Sequence, residues 1–171
     1  MLLTVVSPVA FAEATKMTEQ TKRVVQGELA PHSLMIETSL IRAIDQVKGL
    51  RAGLKVEEDR VPTSTFIQHF KMQGKEINND LKMAQTHETE LNATIQKHPN
   101  IAKTQDFQTA KTALQDAMSF NSSWQTKAET SDYWKNPKAV MNDLDKIENQ
   151  LNHALDKTKN FNSTQLDVSN V

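Results

Sequence analysis

Histidine and methionine are the side chains of this sequence best suited to a soft or borderline metal, because it contains no cysteine. There are five histidines and seven methionines. Read as a helix, His69, Met72, Glu76, Asp80, Met83 and His87 fall on one stripe, within an arc of about 80°. A second pattern comes from level. In an up-down bundle, residues equidistant from a connection lie at one height. Reflection through connections centred near residues 60, 100 and 132 brings Met35, His87, Leu114 and His153 within about one or two turns of each other. His32 and His98 belong to the same end. Imidazole and thioether are ligands for haem iron and for copper. In the alternative reading, a small haem or copper carrier, the candidate cofactor-binding residues are Met35 and His153, with His87 as a third.

Other chemistries lack their residues. Nucleophilic catalysis has no Gly-x-Ser-x-Gly elbow, no thiol and no recognisable Ser–His spacing. Four scattered glycines cannot build a phosphate-cradling loop. The Glu-x-x-His pairs of di-iron bundles are missing. His87-Glu88 is followed by Thr89-Glu90-Leu91, which breaks a zinc-protease motif. No catalytic set is expected. A net charge of −1 and a pI near 6.5 argue against a dedicated nucleic-acid binder. No segment approaches the roughly 20 apolar residues of a membrane span.

The elements that must carry these residues are helices. The chain has 171 residues, 5% aromatics, five prolines and a mean hydropathy of −0.57. So few turn residues disfavour a β-sandwich or barrel, and apolar positions recur at helical spacing. Residues 13–32 read as a weakly periodic accessory segment, closed by Ala30-Pro31. Ser33 would cap a first strong helix running to Leu54, with Ile36, Leu40, Ala43, Val47 and Leu50 on its inner face. A second helix should start at Thr63 or Ser64 and reach Lys97. Its apolar seam is interrupted by Gly74 and Glu88, a point of close approach or bend and a polar layer. A third spans about Thr104 to Lys127, with Asn121 on its seam as a solvated boundary residue. A fourth starts at an Asn136 cap with Pro137 in the first turn and ends near Asn160. Residues 161–171 would be a flexible tail. Trp124, Tyr133 and Trp134 gather at the third connection, as a cap on the end of the core.

The expected fold is thus all-α: an antiparallel up-down-up-down four-helix bundle over residues 33–160, with an accessory N-terminal helical segment. Residues 1–12, Met-Leu-Leu-Thr-Val-Val-Ser-Pro-Val-Ala-Phe-Ala, read as a signal peptide. Ala10 and Ala12 stand at the −3 and −1 positions before Glu13. The stretch lacks a basic start and its apolar part is short, as in a signal truncated at its beginning. This predicts a periplasmic or secreted protein of Gram-negative type. Without a catalytic set, the leading expectation is a non-enzymatic bundle that binds another protein or an envelope component.

Two family resemblances follow. A methionine near the start of the first helix and a histidine near the end of the fourth resemble the haem ligation of the cytochrome b562 family. That likeness covers topology, export, Met35 and His153, and it implies haem between those two residues. Size and helicity resemble the small periplasmic stress chaperones, but their Leu-Thr-x-x-Gln repeat is absent, with only Thr164-Gln165 in its place.

Overall fold

The computed structural model describes residues 19–56, 62–98 and 104–164. The expected signal peptide, residues 13–18 of the expected accessory segment, residues 57–61 and 99–103 of the first two connections, and residues 165–171 of the expected tail lie outside these residues. Four long helices make up the described chain: α1 (Glu19–Val56), α2 (Ser64–Lys97), α3 (Thr104–Ala128) and α4 (Pro137–Thr164), with a 3-10 turn at Tyr133–Lys135 before the last.

Cross-helix pairs fix the topology. Gln46 meets Asp80 and Glu28 meets His98, so α2 runs antiparallel to α1. Lys71–Glu129 and Lys111–Glu88 do the same for α2 and α3. Lys127–Asp143 and the Phe107–Phe161 contact orient α4 against α3. Arg51 pairs with Asp145 and Glu148, and Asn162 with Glu37, which returns α4 to α1. The expected up-down-up-down four-helix bundle is what forms.

The helix boundaries follow local chemistry. Thr63 Oγ1 accepts from the Phe66 amide at 3.2 Å, so the second helix starts where a threonine can satisfy an orphan N–H. Asn136 Oδ1 accepts from the Ala139 amide at 3.1 Å, and Pro137 occupies the first turn, where its missing N–H costs nothing. The inner faces meet in one core. Leu40, Val47, Ile77, Leu81, Leu91, Leu144, Ile147 and Leu151 are all essentially inaccessible.

Three expectations need correction. There is no separate accessory segment among the described residues: α1 is continuous through Pro31. Proline removes one i→i−4 bond, but Pro31 and Gly27, whose carbonyl loses that partner, are both exposed, and water can replace the donor. Val25 and Leu29 extend the buried stripe N-terminal to the proline, and their burial offsets the lost bond. Ser33 is accordingly no N-cap. It is buried, and its hydroxyl donates to the Ala30 carbonyl. Second, α4 continues to Thr164 and Phe161 is buried against Phe107, so the expected tail contributes a core residue. Third, Asn121 is not solvated: it is fully buried, and neither amide atom has a hydrogen-bond partner among the described residues.

The aromatic cap forms as expected. Trp134 packs edge-on to Phe70 at 5.1 Å, Trp124 lies 5.9 Å from the same ring, and Trp134 Nε1 donates to the Ala128 carbonyl. Tyr133 closes the cap by donating to Asp143, which also takes Lys127. Burial, then the Asp143 charge, push the Tyr133 phenol well above its usual range. Glu88 supplies the polar layer, paired with Lys111 at 3.1 Å.

Gly74 marks a close approach of α2 to α3. A Cβ there would stand 2.8 Å from Trp124 Cζ3, and the Gly74 carbonyl accepts from Gln125 Nε2 at 2.6 Å. Gly74→Ala gains roughly 1 kcal/mol of helix propensity but pushes into a buried indole, an overpacking cost of about 1–3 kcal/mol. The expected net result is a loss of about 1 kcal/mol in urea denaturation. A more stable variant would show that the indole moves aside freely.

Candidate metal centre

The residues of α1 and α2 that face each other across their outer edge bring three ligating groups to one point. His32 Nδ1 and His87 Nδ1 are 3.3 Å apart. Glu90 Oε2 lies 2.9 Å from the first and 3.0 Å from the second. The rings are tilted by 38° with centroids 5.6 Å apart. These residues are the His/Cys/Asp/Glu group among the described residues whose donor atoms converge closely enough to share an ion.

Helix geometry explains the convergence. His87 and Glu90 are three residues apart, so they share a face of α2. His32 stands at the border of the buried stripe of α1 defined by Leu29 and Ile36, on the side that meets α2. The side chains are partly covered, with exposures of 30%, 23% and 49% for His32, His87 and Glu90. The site is therefore half-desolvated but reachable from solvent. Further along the same edge, Glu28, one turn before His32 on α1, lies 3.3 Å from His98 Nε2 at the end of α2.

The donor triangle suits a metal ion. With edges of 2.9, 3.0 and 3.3 Å, a point about 2.1 Å from every donor sits about 1 Å out of their plane, as in a facial arrangement. Two imidazole nitrogens and one carboxylate are ligands that zinc, copper and nickel accept. Such a set leaves coordination positions open on the solvent side. Glu90 Oε2 lies within hydrogen-bond distance of both ring nitrogens.

The expected ligands fare differently. His87 is in the cluster. Met35 is half-buried, one turn along α1 from His32. His153 is exposed and lies on the face of α4 opposite its core positions Leu151 and Ala154. The pairings of Glu37 with Asn162 and of Arg51 with Glu148 put Met35 level with a point on α4 about three turns beyond His153. The interior at the Met35 end is filled as well: the cavity among Ile36, Leu91, Leu114, Thr158 and Phe161 is about 10 Å³, room for about one water. Haem needs a crevice of several hundred Å³. Among the described residues, Met35 and His153 therefore do not share a haem-sized crevice.

The stripe on α2 is real but divided. Asp80 turns inward, where it is buried and accepts from Gln46 Nε2 at 3.0 Å. Burial raises its carboxyl above the ordinary range, partly countered by Arg42 and by the Gln46 hydrogen bond. His69, Met72, Glu76 and Met83 stay exposed. The members sequence reasoning missed are His32 and Glu90. His32 had a signal, because residue 87 reflected through a connection near residue 60 falls at about residue 33.

No helix of the described chain is long and apolar enough to cross a membrane. The bundle and its edge cluster define a cysteine-free all-α protein with a His–His–Glu donor set. Compared with protein-family models, curated proteins and solved structures, the chain finds no match.

Proposed function

We propose that this is an exported, non-enzymatic helical-bundle protein that acts by binding, and that its ligand at the best-defined site is a divalent transition-metal ion. Export rests on the Ala-Phe-Ala junction before Glu13 and on the absence of cysteine, which leaves imidazole, carboxylate and thioether as ligands. The observation that carries the metal reading is the convergence of His32 Nδ1, His87 Nδ1 and Glu90 Oε2 within 3.3 Å of one another. A partner protein or envelope component, the leading expectation from sequence, has no group of comparable definition among the described residues. A metal-loaded bundle remains free to deliver its ion to such a partner.

Because the ion joins α1 to α2, it binds the folded state in preference to the unfolded one. At a free concentration about 100 times the dissociation constant, that adds about 2.7 kcal/mol. A domain of this size should then melt about 5–10 °C higher. The test is thermal unfolding of the purified chain with zinc or copper(II), paired with calorimetric titration. One equivalent bound and a raised Tm are expected. Acidification should weaken binding, since protons compete for the same nitrogen and oxygen lone pairs. No shift with either ion at millimolar concentration would defeat the metal reading.

A further inference from the structure

We propose that the site is built for copper, with the thioethers of Met35 and Met83 supplying soft donors that let it hold copper(I). This rests on the metal reading above and names the ion it serves. The placement comes from helical arithmetic applied to the observed pairing of α1 and α2. Met35 follows His32 by three residues, about 60° round α1 toward its outer edge and about 4.5 Å along it. Met83 precedes His87 by four residues, about 40° round α2 and about 6 Å along it, and it precedes Glu90 by seven, about 20° round and about 10 Å along. The helices are antiparallel, since Gln46 meets Asp80 and Glu28 meets His98. Moving up the numbering on α1 and down it on α2 is therefore the same direction in space. Both residues therefore stand on the same side of the His32–His87–Glu90 cluster, each about one turn from the histidine of its own helix.

Their exposure fits this role better than core filling. Met83 is 40% exposed, one of few large apolar side chains left at the surface, and Met35 is half-buried at the same helix–helix edge. A methionine is long and flexible enough to fold over an ion one turn away. Thioethers are soft ligands that favour copper(I), whereas carboxylate and imidazole suit zinc and copper(II). The combined set therefore offers two kinds of donor on one edge. Thioethers in the open positions also displace the water that a hydrolytic metal would need, in keeping with a carrier.

The test is a double variant, Met35→Leu with Met83→Leu, a volume-conserving change at a half-exposed edge that the fold should tolerate. Copper(I) affinity is read anaerobically by competition with bicinchoninate, and zinc affinity by calorimetry, for both proteins. The wild-type chain is expected to bind both ions. The variant should lose about tenfold or more in copper(I) affinity while its zinc affinity changes less than about twofold. Unchanged copper(I) affinity, or an equal fall for both ions, would overturn the thioether assignment and leave the His–His–Glu site standing. A wild-type chain that binds neither ion would overturn both.

Discussion

His87→Ala should abolish the metal-dependent rise in Tm while barely changing the stability of the metal-free protein. His87 supplies one of only three nitrogen and oxygen donors at the cluster, so its loss should weaken zinc and copper(II) binding on the order of 100-fold or more. Its other partners are partly exposed: His32 Nδ1 at 3.3 Å and the Glu90 carboxylate at 3.0 Å. Pairs of that kind contribute at most about 1 kcal/mol. The two readouts therefore separate a ligand from a structural residue. His153→Ala is the natural control. Its ring is exposed on the outer face of α4, so metal affinity and stability should both match the wild type. If His153→Ala were the variant that lost binding, the site would have been placed on the wrong helix.

Phe161→Ala should cost about 3–5 kcal/mol, the range for truncating a buried phenylalanine. Phe161 is 1% exposed, meets Phe107 at 5.6 Å with the rings steeply inclined, and closes the small cavity beside Thr158. Urea denaturation, with an unchanged slope to confirm two-state behaviour, is the measurement. A loss under about 0.5 kcal/mol would mean that the chain after Asn160 is the loose tail its polarity announces. The expected loss is large because the substitution removes a ring packed between α3 and α4.

The bundle itself was legible because its signals are local and redundant. Thr63, Asn136 and Pro137 mark helix starts through side-chain chemistry that does not depend on the rest of the fold. The four-three rhythm of Ile77, Leu81, Ala84, Leu91 and Ile95 also needed no partner to be read. What failed depended on tertiary context. Pro31 is a helix breaker by local rule, yet burial of Val25 and Leu29 holds α1 together through it. Asn121 looked like a boundary residue because polar side chains on a seam usually reach water, and only packing shows that this one does not. It sits three residues before Trp124, whose indole fills the gap left by Gly74.

The site was half legible for the same reason. Reflection through one connection is accurate to about a turn, enough to place His87 opposite the start of α1, but it does not choose between His32 and Met35. Reflection through three connections accumulates the offsets of each, and that is how His153 came to be placed beside Met35. Glu90 was invisible, because one acidic residue among many exposed ones becomes a ligand only through a pair of imidazoles supplied by two helices.

The central claim is that two histidines from different helices and one carboxylate hold a single ion. X-ray absorption spectroscopy of the zinc-loaded protein tests it most directly, because imidazole rings give a countable multiple-scattering signature. Two imidazoles and light oxygen donors are expected in the first shell at about 2.0–2.1 Å, falling to one imidazole in either His32→Ala or His87→Ala. A first shell with no imidazole, or one unchanged by both substitutions, would contradict it.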